Sequence, residues 1–140
     1  MKKNVIISVY DKTDLDIIAK FLIKKKFTIY STGGTSDFLK QNNIPHIEIS
    51  KYTKQKEILG GRVKTLHPKI FGGLLGTTSR GHQKELQSEK IVNFDMLIVN
   101  LYPFEETIKN TNKNDEIIEM IDIGGHSLIR AAIKNYTKTI

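Results

Sequence analysis

Short apolar runs of strand type alternate with segments of helical period along the first third of the chain, and this alternation limits the folds open to it. Residues 4–9 (Asn-Val-Ile-Ile-Ser-Val) form a nearly continuous apolar run, the mark of a strand covered on both faces. Residues 14–25 follow with Leu15, Ile18, Ala19 and Leu22 at helical spacing, and Thr13 or Asp14 is placed to cap that helix. A second apolar run covers 27–30. A helix over about 36–42 stops before Pro45, and 47–49 is a third, shorter strand. Strand, helix, strand in succession predicts the α/β class, with a parallel sheet flanked by helices on both faces.

The second half is less regular. Residues 51–59 are polar and read as irregular chain or a short helix. Residues 69–75 are apolar around Gly72-Gly73, and helix and strand both remain open there. An exposed helix is expected over 79–90, and 94–99 (Phe-Asp-Met-Leu-Ile-Val) is the clearest strand in the chain. Then come a polar loop at 110–114, a short helix over 115–120, a loop at 121–125 and a helix over 127–135. Residues 137–140 read as the first step of another strand. With 140 residues and no linker or repeat, a single domain over 1–140 is expected.

Composition narrows the classes of function. Hydrophobic residues make up 39% and charged ones 26%, which suits a globular domain with a real core. There is no cysteine, so disulfides and thiolate metal sites are ruled out. No apolar run has the length of a membrane span, and Met1-Lys2-Lys3 leads directly into a strand, so the expectation is a cytoplasmic protein without membrane attachment. The net charge of +7 invites a nucleic-acid reading. The lysines are scattered, however, and Arg62, Arg80 and Arg130 are the only arginines, so no nucleic-acid partner is expected. His46, His67, His82 and His126 show no metal-ligand spacing, and no metal is expected.

The chemistry gathers in loops. Gly60-Gly61-Arg62-Val63-Lys64-Thr65-Leu66-His67-Pro68 has no period of either kind and lies between a glycine pair and a proline. Arg62 offers a planar donor fork, Lys64 a compact charge and Thr65 a hydroxyl. The set reads as a grip for an anion, a phosphate ester above all, or else as an ordinary charged surface loop. Three further polar stretches directly follow expected strands: Tyr10-Asp11-Lys12-Thr13, Ser31-Thr32-Gly33-Gly34-Thr35 and Asn100-Leu101-Tyr102. In an open parallel sheet all strand carboxyl ends share one edge, and ligands bind there. The Gly33-Gly34 turn is either a phosphate cradle at a helix start or a plain turn with Thr35 as the cap. Asp122-Ile123-Gly124-Gly125 precedes the 127–135 helix, where Asp122 serves a ligand or simply caps. His126, Arg130 and Lys134, four apart, share one face of that helix. No nucleophile with a neighbouring base is visible.

Ser-Val-Tyr-Asp-Lys-Thr, Ser-Thr-Gly-Gly-Thr, Gly-Gly-Arg-Val-Lys-Thr-Leu-His-Pro, Val-Asn-Leu-Tyr-Pro-Phe and Ile-Asp-Ile-Gly-Gly with Arg-Ala-Ala-Ile-Lys-Asn occur in this order. In these motifs, from about Val5 to Asn135, the chain resembles the IMP cyclohydrolase domain, the N-terminal half of the bifunctional AICAR transformylase/IMP cyclohydrolase family. The resemblance implies a methylglyoxal-synthase-like three-layer domain that closes formyl-AICAR to IMP with loss of water and uses no cofactor. It also implies a homodimer. Mapped onto this chain, it implies nucleotide contacts from Tyr10, Asp11, Lys12, Thr32, Gly33, Gly34, Thr35, Arg62, Val63, Thr65, Asn100, Ile123 and Gly124. Lys64, Tyr102, Asp122 and Lys134 would form the catalytic group. A non-catalytic binder of a phosphorylated metabolite and an inactive remnant are the alternatives. His126, Phe71 and Asp14 stand where the family usually has proline, histidine and glycine. The family's domain is longer and its transformylase half follows, so the resemblance implies a C-terminally incomplete domain here, without transformylase activity.

Overall fold

The structure is a computed structural model and describes residues 3–140. Strands β1 (Lys3–Ser8), β2 (Phe27–Ser31), β3 (Ile47–Glu48) and β4 (Met96–Val99) form one sheet in the order β3-β2-β1-β4. All three pairings are parallel, with Val5 opposite Ile29 on one side and opposite Met96 on the other. The helices in chain order are α1 (Leu15–Lys24), α2 (Gly33–Gln41), α3 (Ile49–Thr53), α4 (Pro68–Leu75), α5 (Arg80–Ser88), α6 (Phe104–Asn110), α7 (Asn114–Glu119) and α8 (Gly124–Lys134).

Alternation along the strands sends side chains to opposite faces, and each face has its own cover. Val5, Ile7 and Ile29 pack with Leu15, Ala19 and Leu22 of α1 and with Leu39 of α2. Ile6 and Tyr30 point the other way, onto Ile49 of α3, Ile70 and Leu74 of α4, and Leu128 and Ala131 of α8. Phe94 is fully buried on this second face, with its ring edge-on to Tyr30 at 5.2 Å. The result is three layers, helices on both sides of a parallel sheet, as the run of strands and helices leads one to expect.

Several boundaries differ from the sequence-based expectations, each for a local reason. α2 starts at Gly33, three residues early, so the glycines lie in its first turn and Thr35 lies inside it. Residues 69–75 form a helix: Pro68 takes the first helical position, and the ring nitrogen Nδ1 of His67 accepts from Lys69 N–H as the cap. Ile49 begins α3 instead of ending a strand. β4 starts at Met96, because Asp95 turns its carboxylate to Asn4 N–H at 2.8 Å. α6 has no counterpart in the expectations. Residues 137–139 are not a strand, but Ile140 exchanges two hydrogen bonds with Asp95 and Leu97, the pattern of a residue lying alongside β4.

Asp14 occupies the N-cap position of α1 without bonding through its side chain, and its φ is 57°. That left-handed conformation suits glycine, the residue usual at this place in the family that the motifs resemble. Instead, the carboxylate of Asp11 organises the approach to α1, accepting from the N–H and hydroxyl of Thr13 at 2.9 and 2.7 Å.

Candidate functional site

From β1 the chain steps to β2 on one side, while β4 returns on the other. The order therefore reverses at β1, and a crevice opens past the carboxyl ends there. Asn100, directly after β4, ties the crevice together. Its side-chain oxygen accepts from the N–H groups of Tyr10 and Asp11 at 2.6 and 3.1 Å, and its amide donates to Asp11 C=O at 2.8 Å. The Thr35 hydroxyl does the same between β1 and α2, donating to Val9 C=O and accepting from Val9 N–H. Thr35 is thus a buried brace for the β1 loop and lies inside α2, so the alternative of a plain turn capped by Thr35 does not hold. Tyr102 lies edge-on to Tyr10 with centroids 5.7 Å apart.

The amino end of α2 points into this crevice and gathers cations. A methyl group added to Gly33 would lie 3.2 Å from Lys64 Nζ, and one added to Gly34 would lie 3.6 Å from Lys12 Nζ. Gly33 also has φ of +54°, so glycine here serves both the backbone turn and the close approach of the ammonium. Lys12 Nζ donates to Tyr10 C=O at 2.9 Å, which holds it at the crevice. The donors at the helix end are occupied from within the chain: one carboxylate oxygen of Glu57 accepts from the Thr32 hydroxyl and from Gly33 N–H.

The 60–65 loop forms the opposite wall. Leu59–Gly61 make a single 3₁₀ turn, and Ile58 and Val63 close the loop's neck through paired backbone hydrogen bonds. Arg62 reaches across to Glu119 at the end of α7. This contact raises the pKa of the guanidinium and lowers that of the carboxyl. Both groups are well exposed, so the pair is a soft tie between walls. Thr65 is buried against the start of α8, where a methyl on Gly124 would lie 3.1 Å from its hydroxyl. Asp122 accepts from Gly125 N–H at 2.6 Å and so caps α8 with one oxygen.

These walls enclose a hollow of about 620 Å³, within the range of small-molecule sites. Of the site residues expected from sequence, Tyr10, Lys12, Thr32, Gly34 and Thr35 line it from the β1 and β2 ends. Arg62, Lys64 and Thr65 line it from the 60–65 loop, and Asn100, Tyr102, Asp122, Ile123 and Gly124 from beyond β4. Asp11, Gly33 and Val63 stand just behind, engaged in loop hydrogen bonds. Lys134 is not brought in. It sits at the far end of α8 and lines a separate depression with Phe71, Leu75, Arg130 and Ile133. One 11-residue helix cannot offer both its amino end, where Asp122 caps, and its last residue to the same hollow. His126 and Arg130 are exposed on the same helix.

The sequence reading missed two acidic residues at the site, Glu57 and Glu119. Both lie in stretches without a glycine or strand signal, and only the fold shows that they face cations and helix donors. No helix among the described residues is long and apolar enough to cross a membrane.

Residues 14–127 match the family model of the MGS-like domain. The chain belongs to the MGS-like domain family. Among curated relatives of this MGS-like domain, the bifunctional purine biosynthesis protein PurH of Buchnera aphidicola subsp. Schizaphis graminum is 51% identical over 140 residues, covering 99% of this chain and 26% of that protein. PurH of Fusobacterium nucleatum is 48% identical over 141 residues, covering 100% of this chain and 28% of that protein. The chain thus spans about a quarter of the length of the curated relatives it matches. Among solved structures, a crystal structure of ForH superposes with a TM-score of 0.84 at 26% identity, over 100% of this chain and 72% of that one. The MGS-like three-layer fold is therefore shared.

Proposed function

We propose that this MGS-like domain is the IMP cyclohydrolase part of a PurH-type protein, its N-terminal half, acting in purine biosynthesis by closing formyl-AICAR to IMP. The observation that carries the reading is the meeting of Lys12, Arg62, Lys64, Thr65, Tyr102 and Asp122 in one hollow past the sheet's carboxyl edge, in a chain about half identical to PurH proteins. Cations and a helix amino end suit the phosphate, and the far wall suits the heterocycle.

In this proposal the carboxamide nitrogen attacks the formyl carbon, and its proton passes to the formyl oxygen. The resulting hydroxyl leaves as water with the proton of the formylamino nitrogen, and the C=N bond forms. Two arms of one substrate react, so holding them in register removes much of the entropic barrier. Lys64 and Tyr102 line the same hollow, and in this reading they move these protons and steady the departing oxygen. One oxygen of Asp122 is held by Gly125 N–H, and in this reading its carboxylate polarises the attacking amide. The step needs no group from Lys134, whose ammonium lies outside the hollow.

A second reading, a phosphorylated-metabolite binder without turnover, draws on the same hollow and on that position of Lys134. Absorbance of the purified chain with formyl-AICAR separates them. The cyclohydrolase reading expects IMP to form, and expects Lys64→Ala to slow its formation by about 100-fold or more. IMP binding without any turnover selects the binder, and turnover at the parent rate in Lys64→Ala removes Lys64 from the chemistry.

A further inference from the structure

Glu57 does not line the hollow, yet it holds two of the hollow's best donors. One of its oxygens accepts from the Thr32 hydroxyl and from Gly33 N–H, the latter at 3.1 Å. These are the donors that the amino end of α2 presents to an anion. The other oxygen lies 3.6 Å from the point where a Cβ on Gly61 would sit, and Lys64 Nζ lies 3.6 Å from the same point. The carboxylate and the ammonium thus flank one glycine at the entrance. A protein carboxylate already stands where an anionic group of a ligand gains most.

Glu57 is also free to leave. Every residue from 54 to 60 is exposed, so no packing anchors this stretch against displacement. A phosphate monoester carries close to two negative charges near neutral pH, against one for Glu57. With Lys12 and Lys64 beside the helix end, the more highly charged anion gains more from the same donors.

We infer that Glu57 is an internal competitor for the ligand's phosphate: it occupies Thr32 and Gly33 in the free protein and yields them when a phosphate group enters. This rests on the reading of the hollow as a phosphate-ester site. Glu57 therefore weakens binding of every phosphate ligand by the work of its own displacement, and it keeps the α2 turn formed while the hollow is unfilled.

Calorimetric titration of the full chain tests this with inorganic phosphate and IMP as probes, on wild type, Glu57→Gln and Glu57→Ala. The glutamine variant keeps the side chain's size and its acceptor oxygen, so a folding defect in the alanine variant does not remove the test. Competition predicts that both probes bind the variants about fivefold more tightly than wild type, the scale of one exposed charge-assisted hydrogen bond. Equal or weaker binding by the glutamine variant overturns the inference and leaves Glu57 as a support for the turn. If IMP binds no protein while inorganic phosphate binds the variants more tightly, competition stands and the cyclohydrolase reading falls. If IMP binds equally to all three and each closes formyl-AICAR at the same rate by absorbance, the cyclohydrolase reading stands and competition falls. Failure of all three proteins to bind either probe overturns both.

Discussion

His67 joins the 60–65 loop to α4, and its chemistry depends on protonation. Nδ1 accepts from Lys69 N–H at 3.1 Å, so that nitrogen must be without a proton for the cap to hold. Burial, and then the Lys69 ammonium, lowers the imidazole's pKa below its ordinary 6.5. In the unfolded chain the ring takes up its proton near the ordinary value, so between the two values the unfolded state binds more protons. The stability from this group is complete above pH 6.5, and it is lost as pH falls through that value towards the lowered one in the fold. His67→Asn keeps a capping oxygen but does not titrate. Thermal melts between about pH 7.5 and about pH 5 should show the midpoint of wild type falling more than that of the variant; parallel curves would remove His67 as a source of acid sensitivity. Asp14 illustrates another residue-scale effect, since its positive φ is a backbone demand that neither its charge nor its hydropathy signals.

α4 packs where a side chain would not fit. A Cβ on Gly73 would lie 2.4 Å from the carbonyl oxygen of Val92 and 2.6 Å from the Phe94 ring, which is fully buried. Gly73 C=O also accepts from Phe94 N–H at 3.0 Å, so helix and incoming strand are in direct backbone contact. Gly73→Ala must push backbone or ring aside. Denaturant unfolding should show a loss of about 3 kcal/mol, at the upper end for overpacking; a loss under about 0.5 kcal/mol would mean that the helix shifts freely. The same pair, Gly72-Gly73, made 69–75 ambiguous in the sequence, because a glycine in an apolar run signals close approach without saying of which element. β1, β2, α1 and α8 were legible because their apolar residues match the face they bury, and α5 was legible as a polar, exposed helix that buries only Leu86. α6 was not legible, since it buries no residue and so needs no apolar stripe, whereas the short helix expected over 115–120 is present as α7, one residue early. The start of α2 was misplaced because its glycines read as turn residues, whereas the Glu57 carboxylate lets the helix begin among them.

At the scale of the molecule, three of the motif loops met in one place because a parallel sheet puts its strand ends on one edge. That much follows from strand order, and Lys12, Thr35, Asn100 and Tyr102 could be assigned to a common crevice from sequence alone. Position along a helix was harder to judge. Lys134 shares a motif with Asp122, but α8 runs away from the hollow and carries it to another surface. The acidic partners were invisible for a different reason: the Glu57 and Glu119 contacts span 24 residues and 57 residues of sequence, and no local pattern encodes them. Lys12, Arg62 and Lys64 line the hollow together with Glu119 and Asp122, and Glu57 stands behind the start of α2, so much of the chain's excess positive charge lies elsewhere.

The most direct test of a single phosphate-binding hollow built from distant loops is a titration of the labelled chain with IMP, followed by backbone amide chemical shifts. The resonances of Lys12, Gly34, Lys64, Thr65 and Gly124 should move together on one saturation curve with one dissociation constant, while those of Phe71, Arg130 and Lys134 stay in place. Separate curves for these loops, or shifts confined to the surface around Arg130, would contradict it.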